Sequence, residues 1–231
     1  MSDIMINYNE ETADLQPGRE LSSSHSADAS PLGLAAFALT TFVLSAVNAG
    51  IFPGVLSETV LPVAIFYGGF IQLLAGMWEF HSGTTFGATA FSSYGGFWMS
   101  LGAFIYLQLR GTLNFQGHSQ EALGLFLLAW TVFTFYMWIA SFRMNQALGI
   151  VFTLSFFTFV LLDLGAFGVP QATTIGGWFG LLNAVAAWYT SAAFLLKDTY
   201  GHVILPVETR KQRTVKQYTR EKSRMSSATI K

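Results

Sequence analysis

Apolar positions run through this chain in long blocks separated by short polar breaks. Six blocks stand out: Leu32–Ile51, Val60–Phe80, Thr85–Leu107, Ala122–Ile139, Asn145–Leu164 and Ile175–Leu196. Each is close to the ~20 residues a helix needs to cross a ~30 Å hydrocarbon layer. From Pro31 to Leu196 the charged residues are Glu58, Glu79, Arg110, Glu121, Arg143 and Asp163, and most of them flank the apolar blocks. The pattern predicts an all-α membrane protein, a six-transmembrane-helix bundle of channel-like character. Short connections force consecutive helices to pack as up-down neighbours.

Polar and small residues inside the blocks fall at helical spacing, where positions three, four and seven apart share a face. The first block places Phe37, Thr41, Ser45 and Asn48 on one row, and the second places Gly68, Gln72, Gly76 and Glu79. The third carries two adjacent rows: Thr89, Ser93, Gly96 and Ser100, and Gly87, Phe91, Tyr94 and Trp98. The sixth offers Gly176, Gly180, Asn183, Ala187 and Thr190. The fourth and fifth are richer in Phe, Leu and Val, which predicts that they face lipid or neighbouring subunits. Small residues at this spacing serve close helix packing, and that is the reading for Gly68, Gly69, Gly76, Gly87 and Gly180. Ser and Thr can bond back to their own helix carbonyls. An amide cannot do so, so Asn48, Gln72 and Asn183 need a partner helix or a wet cavity.

Composition agrees with a membrane assignment. The 231 residues are 52% hydrophobic and 11% charged, outside the usual range of a soluble domain. Residues 1–30 hold six acids and one base, with a Ser run, and predict a disordered acidic tail. No basic start and apolar core precede the first block, so no cleavable signal peptide is expected. From Lys197 onward nine Lys or Arg stand against three acids, so 207–231 reads as a basic tail. The positive-inside bias then places that tail in the cytoplasm, and six crossings bring the N-terminus there too. Arg143 agrees, whereas Arg110 falls on the outer side. Residues 31–206 form the transmembrane domain, in contact with the lipid bilayer.

The chain has no Cys, which removes disulfides and thiol chemistry. It has no catalytic or nucleotide-binding fingerprint, no metal-like His cluster and no folded context for nucleic acid. A non-enzyme without metal or cofactor is expected. Glu79, two residues from the end of its block, is either an interfacial carboxylate in water or a gate or proton site at a pore mouth. Asp163 has the same alternatives.

The segments PLGLAAFALTTF (31–42), FYGGFIQLLAGMWEF (66–80) and TTFGATAFSSYGGFW (84–98) resemble the acetate uptake transporter family, which includes bacterial succinate–acetate permeases and fungal acetate and ammonia-export proteins. The similarity runs from about Ser30 to Pro206, and the Ser-rich tail is closest in style to filamentous-fungal members. The resemblance implies a six-helix protomer in a homo-hexamer of the plasma membrane, with a narrow path for a small carboxylic acid through each protomer. It assigns Pro31, Leu32, Gly33 and Leu34 to the entry motif, with Asp28, Ala29 and Ser30 where the family reads Asn-Pro-Ala. It also implies a hydrophobic constriction of Phe, Tyr and Leu. Phe37 and Tyr94 take the first two places, and Ser155, with Leu154 beside it, stands at the third. Phe194 occupies a position where bacterial relatives have Glu.

The expected function is therefore transport of small monocarboxylates such as acetate with net proton symport. No Lys or Arg lies deep in a block, so an anion would meet no fixed positive charge, and an isolated charge in hydrocarbon is costly. The solute crosses either protonated or escorted by donors from Thr41, Asn48, Gln72 and Ser93 and by helix N-termini. Ammonium export is the alternative within transport. A non-conducting sensor or scaffold is the alternative outside it.

Overall fold

The structure, a computed structural model, describes residues 27–208. The acidic and basic tails predicted from the sequence lie, apart from 27–30 and 207–208, outside the described residues. Six helical rods follow one another: α1 (Ser30–Asn48), α2 (Gly54–His81), α3 (Thr85–Leu109), α4 (Ser119–Ser141), α5 (Gln146–Ala166) and α6 (Pro170–Tyr200). No strand occurs among the described residues.

Local sequence sets the ends. Pro31 and Pro170 occupy the first turns of α1 and α6, where a missing N–H costs nothing. The Asn145 side chain accepts from Leu148 N at 2.9 Å and caps α5. Gly201, at φ 72°, closes α6 in the left-handed conformation that favours glycine. α2 is not uniform: it begins as a tight 3-10 turn over Gly54–Thr59, widens to π-helix over Val63–Ile71 and resumes as α-helix from Gln72.

Five of the rods (α1, α2, α4, α5 and α6) are long and apolar enough to cross a membrane. α3 has the length, at 25 residues, but Gly87, Gly95, Gly96, Gly102 and its Ser and Thr residues dilute its hydropathy. The protein is a multi-pass helical membrane protein. The start of α1, the end of α2 and the end of α6 meet at one end of the bundle, through Ser30–Glu79 and Ser191–Pro31 hydrogen bonds. The chain after α6 also stays there: Tyr189 Oη donates to Pro206 O at 2.8 Å, and Ala147 N donates to Val207 O at 3.2 Å.

Glycine decides how closely the rods approach. A Cβ at Gly177 would lie 2.6 Å from Asn48 C and 2.7 Å from Ala49 Cα, so α6 rides on the backbone of α1. A Cβ at Gly95 would lie 2.7 Å from Leu73 N, which makes the same argument for α3 on α2. Gly68 faces the Thr40 side chain, Gly76 faces Ser92, and Gly180 faces Ser45. A Cβ at Gly69 would lie 2.5 Å from both Ala64 O and Met99 Cγ.

The expectation for α5 needs correcting. Its Phe and Leu content suggested an outward place, yet Val151, Phe152, Ser155 and Phe159 are buried between α6 and the α3–α4 side. Its aromatic rings pack against other aromatic rings: Phe152 lies 5.1 Å from Phe86, and Phe159 lies 5.3 Å from Phe97, centroid to centroid. Apolar content alone does not tell a lipid-facing helix from one whose apolar face meets protein. α4 does lie outside, with Leu125, Val132 and Ile139 exposed.

Gly177→Ala is expected to lower the thermal stability of the detergent-solubilised protein, by about 1–3 kcal/mol, because the methyl must push α1 off α6. Gly96→Ala, with open space at its Cβ, is the control and should leave stability unchanged or slightly raised.

Candidate solute pathway

α1, α2, α3 and α5, with Phe194 of α6, enclose a cavity of about 170 Å³ that opens at the end of the bundle where α1 begins. Exposed Asp28, Thr84 and Met144 form its rim, and buried Phe37, Tyr94 and Ser155 form its floor. Behind that floor lies a smaller chamber of about 40 Å³, walled by Leu44, Phe97, Phe159 and Leu162 together with Thr41, Trp98 and Asn183. Phe37 and Ser155 belong to both spaces. The two cavities therefore adjoin, with Phe37 and Ser155 as the partition between them.

Aromatic packing holds the partition. Phe37 and Tyr94 rings are 5.7 Å apart, and Tyr94 meets Phe133 edge-on at 5.4 Å. The Tyr94 hydroxyl pairs with Thr134 Oγ1 at 2.9 Å, which ties the ring to α4. On the opposite wall Ser155 Oγ donates to Val151 O at 2.9 Å, and Asn183 Nδ2 donates to Ser155 Oγ at 2.8 Å. The partition thus has an aromatic side and a polar side.

Glu79 is not an interfacial carboxylate in water. It is 3% exposed and lines the outer cavity. Ser30 Oγ donates to Glu79 Oε1 at 2.7 Å, and Thr84 Oγ1 donates to Oε2. A Cβ at Gly87 would meet Glu79 Oε2 at 2.5 Å, so that glycine makes room for the carboxylate rather than only for a helix. Pro31 is fastened from the other side, since Ser191 Oγ donates to Pro31 O at 2.6 Å. The start of α1 is therefore pinned across the rim. Within the expected entry motif, Leu34 lines the cavity, Gly33 sits against the Phe91 ring and Leu32 points outward.

The expected pathway residues divide. Phe37, Gln72 and Tyr94 line the outer cavity, and Thr41 lines the inner one. Ser93 and Asn48 line neither of these two cavities. Ser93 belongs to the Thr89–Ser100 row, and that row is partly exposed because the inward face of α3 is the adjacent one with Phe91, Tyr94 and Trp98. One residue is a rotation of about 100° on a helix. Asn48, half-buried, ends α1 beside Gly177, beyond the inner chamber.

Three further residues stand beside these: Ser155, which the family resemblance set at the constriction, Asn183, which the sequence left between a partner helix and a wet cavity, and Trp98. Asn183 and Ser155 are partners across α5 and α6, and Trp98 adds an indole N–H. Trp98 was on an aromatic row already, and its place next to a cavity was the missing fact. Asp163 is buried away from both cavities and accepts from Thr131 Oγ1 at 2.5 Å.

A multi-pass helical bundle with two adjoining cavities is the architecture of a membrane conduit. The chain belongs to the GPR1/FUN34/yaaH family, whose model it matches over residues 12–209, further at both ends than the sequence motifs reach. It is 41% identical to acetate permease A of Emericella nidulans over 213 residues, covering 84% of this chain and 70% of that one. It is 40% identical to ammonia transport outward protein 2 of Saccharomyces cerevisiae over 197 residues, covering 83% of this chain and 70% of that one. Its structure matches that of the bacterial acetate channel SatP with a TM-score of 0.74 and 35% identity, over 79% of this chain and 99% of that one.

Removing the Glu79 carboxylate with Glu79→Ala should free the Ser30 and Thr84 hydroxyls and unpin the start of α1. A stability loss of about 1–3 kcal/mol is expected, with faster proteolysis just before Pro31. Thermal unfolding and limited proteolysis in detergent read both effects, and Glu79→Gln, which keeps an acceptor, should fall in between.

Proposed function

We propose that the protein is a plasma-membrane transporter or channel for small monocarboxylates such as acetate, working by transport and not by catalysis. The observation that carries this is the pair of adjacent cavities inside one subunit, with Phe37 and Ser155 common to both and Tyr94 packed against Phe37. Family membership and the likeness to an acetate permease and an acetate channel support the choice of solute. All six rods cross the bilayer in this reading, α3 included. Both termini are cytoplasmic, and the protomers assemble as a homo-hexamer, as the family resemblance implies.

The geometry suits a short acid. The outer cavity is mostly apolar, with Asp28, Ser30, Gln72, Glu79, Thr84, Asn145 and Ser155 as its polar residues, so it receives a carboxyl group and a small hydrocarbon part together. Phe37 and Tyr94 form the dry throat, which passes a methyl-sized group and excludes hydrated ions. Gln72 positions the solute before the throat and Thr41 meets it afterwards. Glu79 and the 31–34 segment shape the entrance. Sugars and amino acids are too large or too strongly hydrated for such a constriction.

No Lys or Arg lines either cavity. An anion would therefore cross low-dielectric surroundings unpaired, which is unfavourable by several kcal/mol or more. Carrying a proton with each acid removes that cost and gives net symport.

The test is flux in liposomes containing the purified protein, with labelled acetate and methylammonium measured side by side. Acetate uptake that rises as external pH falls is expected; selective methylammonium flux would assign the throat to ammonia instead, and no flux of either would support a sensor or scaffold. Tyr94→Ala should shift selectivity from two-carbon toward four-carbon acids by roughly tenfold, the scale of one or two methylenes at a shape-selective site. Unchanged size selectivity in that variant would remove Tyr94 from the throat.

A further inference from the structure

α5 has a second face that neither the pathway nor the bundle core uses. Val151, Phe152 and Ser155 turn inward, and Gln146, Ile150 and Leu154 stand on the opposite side of the helix as a ridge. A groove runs along each flank of that ridge. One, of about 420 Å³, lies on the side of Phe142, Gly149 and Thr153; the other, of about 470 Å³, lies against Leu182, Val185 and Tyr189 of α6. Gln146, Ile150 and Leu154 wall both. Ile150, Leu182 and Val185 are about half exposed although apolar, so the grooves open onto whatever surrounds the bundle. Gly149 hollows the first groove: a Cβ there would meet only Phe142 Cδ1, at 4.0 Å.

Depth and charge say what fits there. The Asn183–Ser155 hydrogen bond sets the register of α6 against α5, and the grooves end beside it at Leu154 and Leu182. From Ser155 back to Asn145, α5 covers roughly 15 Å, which is the depth of one leaflet of a ~30 Å hydrocarbon layer. From Asn183 on to Lys197, α6 covers roughly 21 Å, so Lys197 stands about one turn higher, at the level of lipid headgroups. Lys197 also shares a helical row with Ala186 of the second groove. Arg143 follows directly on Phe142 of the first. Both bases are exposed, and neither forms an ion pair among the described residues. The chain after α6 returns to the same place. Val207 lines the second groove and accepts from Ala147 N, and the sequence continues with Arg210, Lys211 and Arg213. Asp198 and Glu208, the acids nearest in sequence, are outnumbered by these bases.

Two apolar grooves of one leaflet's depth, parted by a ridge with an amide at its top and with Arg143 and Lys197 above it, suit a lipid with two acyl chains and an anionic headgroup. We propose that the outer face of α5 is a binding site for an anionic phospholipid of the cytoplasmic leaflet. The molecule straddles the Gln146–Ile150–Leu154 ridge with one chain in each groove, and its phosphate meets Arg143, Lys197 and the bases that begin the tail. Gln146 donates to the ester or phosphate oxygens where the two chains part. A zwitterionic lipid fills the grooves equally well but leaves the bases without a counter-charge, so preference for anionic lipid is the mark of the site. The inference goes beyond the transport reading. It takes from that reading only the cytoplasmic placement of the termini, on the side where the leaflet carries anionic lipid.

Lipid binding by the full-length protein in detergent, read by native mass spectrometry and thermal unfolding, tests this without reference to flux or sidedness. Phosphatidylserine and phosphatidylcholine with the same acyl chains are offered in turn, with glycerol 3-phosphate as a headgroup that lacks chains. Phosphatidylserine is expected to be retained roughly tenfold more tightly than phosphatidylcholine and to raise Tm, and glycerol 3-phosphate to do neither. Arg143→Gln combined with Lys197→Gln should bring the two lipids close to parity. Gly149→Leu, which puts a side chain into the open groove, should weaken retention of both lipids while unfolding stays cooperative. Equal retention of the two lipids by the wild type, a preference that the double variant leaves intact, or the same Tm rise from glycerol 3-phosphate would each overturn the proposal. So would a Gly149→Leu protein that loses its oligomeric state and keeps its lipid, which would give this face to a second copy of the chain. None of these results bears on acetate flux in liposomes, which tests the transport reading separately.

Discussion

A polar atom inside a membrane protein has to find a partner, because hydrocarbon supplies none. That constraint organises this structure. The backbone meets it by forming helices. Hydroxyls meet it by bonding back to their own helix, as Thr40 does to Ala36 O, Thr158 to Leu154 O and Thr190 to Ala186 O. Amides and carboxylates cannot, so they reach across: Asn183 to Ser155, Glu79 to Ser30 and Thr84, Asp163 to Thr131. Some side-chain atoms remain unpaired: Gln72 Oε1, Thr41 Oγ1, Trp98 Nε1 and Asn183 Oδ1 belong to residues that line one cavity or the other, and Ser92 Oγ and Asp163 Oδ1 to residues that line neither.

Close helix approach makes those encounters possible. Gly177 lets α6 rest on the end of α1, and Gly180 leaves room for Ser45. With the two helices that near, Thr41 and Asn183 come to wall the same chamber. On the other side Gly76 and Gly95 bring α2 and α3 together, which sets Gln72 and Tyr94 around one cavity. Packing and pathway are thus two results of the same missing side chains. A glycine substitution that separates helices would disturb the route as well as the fold.

The helices were legible in the sequence because length and apolarity are local properties. Five of the six expected blocks coincide with rods that satisfy both, and the sixth, α3, is helical as expected though less apolar. The rows Gly68–Gln72–Gly76–Glu79 and Gly176–Gly180–Asn183–Ala187–Thr190 are buried throughout. Which of two adjacent rows on α3 faces inward was not legible, since both carry small and polar residues at the same spacing. That ambiguity is why Ser93 was expected on the pathway while Trp98 was not. For Glu79 the sequence left two places open, in water or at a pore mouth. Its distance from the end of α2 suggests water, but burial depends on Ser30 and Thr84, which arrive from other elements. α5 was misplaced because a helix packed against aromatic rings has the same composition as one packed against lipid.

The central claim is that a solute passes within one subunit, through the partition that Phe37, Tyr94 and Ser155 form. The absence of Cys from the chain allows a direct measurement with single cysteines and a small membrane-permeant thiol reagent. Modification of Ser155→Cys should block acetate uptake in liposomes, with acetate slowing the reaction, while modification of Ser93→Cys should leave uptake intact. Blockage through Ser93→Cys together with full uptake after modification at Ser155→Cys would contradict the account.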